Sequence, residues 1–251
     1  MKIILSPAKK VNVETDILTP SDLPEFLDRT EVILSWLRSK SYGELKALWG
    51  CNDKIAEQNF ERLEHMDLRK NLTPAVLAYE GIAYQYMAPI VFENSHFDYV
   101  QEHLRILSGF YGVLRAMDGV TPYRLEMQAK ASIDGNRDLY EFWGSRLYEA
   151  VRDESGVIIN LASKEYSKCI EKYLTPEDRY LTITFCEKSG EKLVTKGTYA
   201  KMARGEMVRF MAENRIENPA EIRRFDRLGY VYREEMSSDT EYVFERITDI
   251  S

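Results

Sequence analysis

Short apolar runs at residues 2–5, 104–107, 123–127, 157–161 and 180–186 constrain this chain more than any other feature. Each is too short for a buried helix and is bounded by turn-forming residues, so each predicts a strand. The first, Lys2-Ile3-Ile4-Leu5, ends at Ser6-Pro7, and proline cannot continue a ladder. The last, Tyr180-Leu181-Thr182-Ile183-Thr184-Phe185-Cys186, is rich in β-branched and aromatic residues. Between them lie helical patterns. Phe26, Val32, Ile33, Trp36 and Leu37 recur at helical spacing after Pro24, with Ser21 or Asp22 as the expected cap. Thr73-Pro74 starts a short helix, and Ser95 caps another that runs to His103. Further helices fit residues 138–152, 163–172, 198–215 and 219–225, and residues 12–23 read as loop. The end of the chain reads as a hairpin of residues 229–234 and 241–247 around a turn at 237–240. Strands and helices alternate without a repeat or a linker. The expected fold is a mixed α/β (α+β) single domain over residues 1–251, with a mixed sheet, surrounding helices and an inserted helical hairpin.

That hairpin, at about residues 41–65, is the most specific local motif. Ser41-Tyr42-Gly43-Glu44 has the capping-box pattern and opens one helix. Gly50 and Asn52 suit the left-handed positions of a tight turn, with Cys51 a small plug between them. Leu48, Ile55 and Ala56 then pack the two helices together. Such a helix-hairpin-helix aims the amides of Asn52, Asp53 and Lys54 outward, where orphan donors and the helix dipole favour a phosphate. Lys54 adds a charge. The plainer alternative is an ordinary turn, with Gly50 as a C-cap and Asp53 capping the next helix against any anion.

Charge cuts against nucleic acid overall. The net charge is −7, so the mean field repels a polyanion and any contact needs a local basic surface. Residues 192–233 provide one candidate, with ten cations against five carboxylates. On the helix 198–215, Lys201, Arg204 and Arg209 fall roughly on one side. The alternative is a solvated face with pairs such as Arg209–Glu213. A second concentration spans Arg105, Arg115 and Arg124, with Asp118 and Glu126 as available partners. It suits either an anion pocket or an ion-pair network.

Other function classes are excluded or weak. No stretch approaches the ~18 apolar residues of a membrane span. Cys51, Cys169 and Cys186 lie far apart and provide no disulfide framework, so a reduced, cytoplasmic chain is expected. His96 and His103 are poorly spaced as a chelating pair and His65 stands alone, so no metal site is expected. No phosphate loop, dinucleotide fingerprint or nucleophile elbow is present, and no cofactor is expected. Ser6, Lys9, Arg105, Ser108, Tyr111, Asp118, Arg124, Glu126, Asn160, Ser163 and Tyr166 gather at strand ends, where mixed sheets place ligands, but they define no reaction class.

Several segments together resemble one known family. Ile4-Leu5-Ser6-Pro7-Ala8-Lys9, Arg105 to Arg115, Pro122 to Met127, Leu139-Tyr140-Glu141-Phe142-Trp143-Gly144, Val157 to Ser163 with Tyr166, and Lys201-Met202-Ala203-Arg204-Gly205 are similar, in order, to the YaaA peroxide-stress family. The resemblance covers residues 2 to about 247. It implies a bacterial cytosolic protein made under hydrogen peroxide stress, which lowers free intracellular iron and limits oxidative damage to DNA. It also implies weak, structure-tolerant DNA binding through a helix-hairpin-helix, here Leu48 to Ala56, and a positively charged cleft in an unusual α/β fold. By motif position, the cleft side chains are Lys9, Arg105, Arg115, Arg124, Lys201, Arg204 and Arg209. An enzyme acting on a small anionic or nucleotide-like substrate in the same cleft is the alternative. One segment departs from the family's Phe-x-Gly-Asp-x-Tyr-x-Gly pattern: Tyr79 to Tyr86 carries Ile82 and Tyr86 where the family has aspartate and the final glycine.

Overall fold

The computed structural model describes residues 1–13, 15–190 and 192–247. In chain order the strands are β1 (Lys2–Leu5), β2 (Lys10–Val11), β3 (Thr73–Pro74), β4 (Tyr79–Glu80), β5 (Leu104–Ser108) and β6 (Gly112–Arg115). There follow β7 (Gly119–Val120), β8 (Val157–Asn160), β9 (Arg179–Ser189), β10 (Lys192–Val194), β11 (Tyr230–Tyr232) and β12 (Glu241–Arg246). The helices are α1 (Leu27–Arg38), α2 (Tyr42–Trp49), α3 (Asp53–His65), α4 (Ala75–Ala78), α5 (Ile82–Met87), α6 (Asn94–His103), α7 (Leu139–Trp143), α8 (Arg146–Val151), α9 (Lys164–Glu171) and α10 (Gly197–Glu213).

The main sheet has eight strands in the order β11-β12-β9-β8-β1-β5-β6, with β10 hydrogen-bonded to β9 off that path. Its middle, β12-β9-β8-β1-β5, is parallel throughout, and the flanking β11, β6 and β10 are antiparallel. Parallel strands are covered by helices on both faces and read as continuous apolar runs. Ile3, Ile4, Leu5, Ile106, Leu107 and Ile159 are accordingly buried to 1% exposure or less. Lys2 registers with Ile158 and Ile3 with Leu104, so β1 is the strand between the two halves of the sheet.

The chain leaves β1 toward β5 on one side, and later enters β8 on the other. The loops after β1 and β8 therefore part company at the carboxyl end of the sheet. That opens a crevice there by topology alone.

Most of the expected elements form. Residues 2–5, 104–107, 157–161 and 180–186 fall on β1, β5, β8 and β9, and the terminal hairpin forms as β11 and β12. The differences have local causes. Residues 123–127 form no strand, because their backbone lies against Gly109 instead of pairing. A Cβ on Gly109 would sit 2.8 Å from the Leu125 carbonyl oxygen. The helix expected over 138–152 breaks into α7 and α8, since Gly144 adopts φ +58°. Neither Ser21 nor Asp22 caps α1, which begins at Leu27. Asp22 instead forms a bridge with Asp118. Glu93, not Ser95, caps α6, and residues 219–224 tighten into a 3-10 helix.

Helix α10 is held by its contact with the short α5. Ala203, Met207, Val208 and Met211 are buried along it. At the crossing a Cβ on Gly205 would lie 1.9 Å from the Ala83 carbonyl oxygen and 2.9 Å from the Met87 amide nitrogen. No side chain fits between these backbones. Gly205→Ala is expected to cost about 3 kcal/mol by forcing the helices apart. A thermal melt followed by circular dichroism should show Tm falling by roughly 6–12 °C. An unchanged Tm would mean that the crossing yields freely.

Candidate anion-binding cleft and its neighbouring hairpin

The crevice at the carboxyl end of β1 and β8 is a cleft of about 420 Å³. Its floor is built by the strand ends. Ser6, the residue after β1, accepts a hydrogen bond from the Ser163 amide at 2.8 Å through Oγ and donates to Ser163 Oγ at 3.1 Å. Two loops that diverge in topology are thus tied at one point. Tyr84 on α5 donates its hydroxyl to the Ser6 carbonyl oxygen at 3.0 Å and closes one wall. Beneath, the Tyr123 hydroxyl lies 2.8 Å from that of Tyr79 and 2.6 Å from Ser108 Oγ. Ser108 Oγ accepts the amides of Phe110 and Tyr111 at 3.1 and 3.0 Å. Every hydroxyl of this buried chain has a partner, as burial requires. Burial pushes the Tyr123 hydroxyl up to about 12, so it stays protonated.

The rim carries five cations, Lys9, Lys10, Arg124, Lys201 and Arg204, against three carboxylates, Glu80, Glu126 and Glu165. The carboxylates are already engaged. Lys10 pairs with Glu80. Glu126 Oε1 is 2.9 Å from Lys9 Nζ and 3.6 Å from an Arg124 nitrogen. Glu165 accepts the Gln128 amide at 3.2 Å, and burial raises its pKa. Lys201 and Arg204, one turn apart on α10, form no hydrogen bond or ion pair among the described residues. Nε of Arg204 is buried without a partner, and burial alone lowers the pKa of its guanidinium.

Of the side chains expected in the cleft, Lys9, Arg124, Lys201 and Arg204 line it. Three do not. Arg105 lies at the start of β5, while the cleft is at the other end of that strand. Its guanidinium donates to the carbonyls of Gln101 and Leu104 at 3.2 and 2.9 Å. Arg115 is its register partner on β6 and is exposed. Arg209 is five residues beyond Arg204, about 140° around the helix, and it pairs with Glu213 at 2.7 Å. Glu165, Lys10 and Tyr84 line the cleft without having stood out in the sequence. Tyr84 holds the tyrosine position of the family's Phe-x-Gly-Asp-x-Tyr-x-Gly pattern and Lys10 adjoins Lys9, whereas Glu165 had no signal. Ile82, at the departure from the family pattern, also faces the cleft.

The helical hairpin forms where expected. Ser41 and Glu44 make the capping box, and Gly50 adopts φ +53° at the end of α2. Asn52 is extended (φ −72°) rather than left-handed, because it caps α3, its Oδ1 accepting the Ile55 amide at 3.0 Å, and the Ile55 side chain is exposed rather than packed between the helices. Asp53 pairs with Lys46, which lowers its carboxyl pKa. The start of α3 therefore already holds a carboxylate, as in the plainer reading of the motif. Lys54, the next residue, is exposed and makes no hydrogen bond or ion pair among the described residues. Arg38 holds the far end of α3 through the carbonyls of Leu63 and Met66 at 3.0 and 2.8 Å. Arg124 reaches from the cleft to the Trp49 carbonyl at 3.4 Å, which joins the turn of the hairpin to the cleft.

All three histidines are used structurally. His65 contacts the Glu61 carbonyl, His96 accepts the Glu93 amide, and His103 lies between the Met1 carbonyl and Glu217. The three cysteines are free thiols. Among the described residues, no helix is long and apolar enough to cross a membrane.

These features define a class: a mixed α/β protein with a largely parallel sheet, a cationic cleft at its switch point and a helical hairpin beside it. A family model described as peroxide stress protein YaaA matches residues 1–236, and the chain belongs to that family. It is 72% identical over 246 residues to a UPF0246 protein of Agathobacter rectalis, covering 98% of this chain and 99% of the relative. It is 55% identical over 244 residues to a UPF0246 protein of Lachnoclostridium phytofermentans, covering 97% and 96%. A UPF0246 protein of Ligilactobacillus salivarius is 51% identical over 244 residues, covering 97% and 99%.

Arg105 and Arg115, outside the cleft, act on a buried acid. Asp118 is 3% exposed, and its Oδ2 accepts the Arg115 amide at 2.8 Å. Burial raises its pKa to about 6, against the opposing pull of that amide and of Arg115. A carboxyl raised on folding binds its proton more tightly in the native state. Its contribution to stability is present below pH ~4 and is lost as pH rises through about 6. In Asp118→Asn that loss should vanish. Urea melts from pH 4 to 7 should show the wild type losing stability relative to the variant by a few kcal/mol. A constant difference would show that Asp118 ionises normally.

Proposed function

We propose that this peroxide-stress protein binds DNA through its phosphates, along a surface running from the hairpin turn to the cleft. In that role it helps limit oxidative damage and free intracellular iron. The observation that carries this reading is the set of unneutralised cations, Lys54, Lys201 and Arg204, on a chain of net charge −7. An acidic protein that leaves arginine and lysine unpaired at one cleft has a local field opposite to its overall one. The contact of Arg124 with Trp49 supports it, because that contact fixes the hairpin relative to the cleft. Asn52 and Asp53 occupy the start of α3. Gly50 and Asn52 thus shape the turn, while the attraction to phosphate rests on Lys54 and the cleft cations. Such binding reads backbone rather than sequence and is strongly salt-dependent.

A second reading has its own support. The cleft is enclosed by strand ends and sized for a small molecule, so an enzyme acting on a small anionic substrate would fit there.

Fluorescence anisotropy with a labelled duplex tests the DNA reading. The expected result is weak binding with little sequence preference that falls steeply with salt. Lys54→Glu combined with Arg204→Glu should reduce the affinity at least ten-fold. Equal affinity in wild type and double variant would reject this surface.

A further inference from the structure

We infer that the cleft is also a specific seat for a small phosphate monoester of the mononucleotide class, anchored on Arg204. This goes beyond backbone binding of DNA and shares with it only the cations of α10.

The inference starts from a cost. A guanidinium taken out of water needs a counter-charge or a full set of hydrogen bonds. Arg204 is half-buried, with its Nε wholly so, and has neither among the described residues. The three carboxylates of the cleft do not compensate it. Glu80 and Glu126 are held by lysines and Arg124, and Glu165 by a backbone amide. An anion entering the cleft would supply the missing counter-charge.

The neighbouring donors indicate its chemistry. Lys201 stands one turn away on the same helix with no partner of its own. Ser163 Oγ accepts from Ser6, so its own proton is free to donate. A planar fork, an ammonium and a hydroxyl match the several acceptor oxygens of a phosphate dianion better than a lone carboxylate. Beside these donors and the paired charges of the rim, the cleft also has an apolar and aromatic lining. Leu5, Leu125, Leu161, Tyr123 and Tyr166 line it and give an apolar surface against which a planar ring can pack. A volume of about 420 Å³ lies at the small end of ligand pockets, roughly 300–1,000 Å³. It admits one nucleotide-sized group, whereas a duplex meets only the cations at its rim.

Differential scanning fluorimetry with AMP, inorganic phosphate and adenosine, beside anisotropy with duplex DNA, tests this. In the wild type, AMP at a hundred-fold excess over its Kd should raise Tm by roughly 5–10 °C. Phosphate or adenosine alone should give less than half of that. Arg204→Met should leave the ligand-free Tm unchanged or higher, because a half-buried charge without a counter-charge is removed, and should abolish the AMP shift. A structural arginine would instead lower the ligand-free Tm. If that variant fails to fold, Lys201→Gln should still reduce the AMP shift. Absence of an AMP shift in the wild type overturns the inference, and so does an equal shift from inorganic phosphate. An AMP shift without DNA binding upholds it while rejecting the DNA reading. DNA binding without an AMP shift does the reverse.

Discussion

The parallel ladder around β1 is the constraint on which the rest of this structure depends. Its strand is short, wholly buried and hydrogen-bonded on both sides, to β5 and to β8. Because the chain departs from it in one direction and returns on the other, the loops at its carboxyl end must separate. The Ser6–Ser163 contact stitches the floor of the opening that results. The cleft is thus a consequence of strand order, and the side chains around it are those that strand order delivers to one place.

The second constraint is the close crossing of α5 and α10. Gly205 lets the two backbones meet without a side chain between them. Arg204 precedes that glycine and so is carried into the cleft, where its Nε is buried. Its lack of a partner follows from this placement rather than from local flexibility. Most other cations in the chain have an assigned carboxylate. Arg227, for example, bridges Glu206 and Glu213, and Glu187 is held by Lys196 and Arg246. Among the cations of the cleft, Lys201 and Arg204 are the two without a carboxylate partner among the described residues.

Membership in the peroxide-stress family and the internal electrostatics point toward the same region by independent routes. Family motifs at residues 4–9, 122–127, 157–163 and 201–205 are far apart in the chain, yet all of them contribute to the cleft. The motif around Arg105 to Arg115 does not contribute there. It surrounds the buried Asp118 and the turn through Phe110 and Tyr111, so it serves the packing of β5 and β6. At the hairpin, Asn52 and Asp53 occupy the helix start that a phosphate would otherwise approach. Lys54 is therefore its open cation.

The sequence by itself determined the elements whose cause is local. Apolar runs became strands because only burial on two faces satisfies them, as at Ile3 to Leu5 and Val157 to Asn160. Ser41, Glu44, Gly50 and Asn52 specified the hairpin, because capping and left-handed turns act within a few residues. Tertiary structure alone decided what depends on distant partners. Residues 123–127 had the composition of a strand but were drawn onto Gly109. Arg105, Arg115 and Arg209 looked equivalent to Arg124, Lys201 and Arg204 as a list of cations. Strand direction and helix rotation separated the two groups, and neither is visible until the chain is folded. Whether a charge is neutralised is a property of its neighbours in space, so the open state of Arg204 could be found only there.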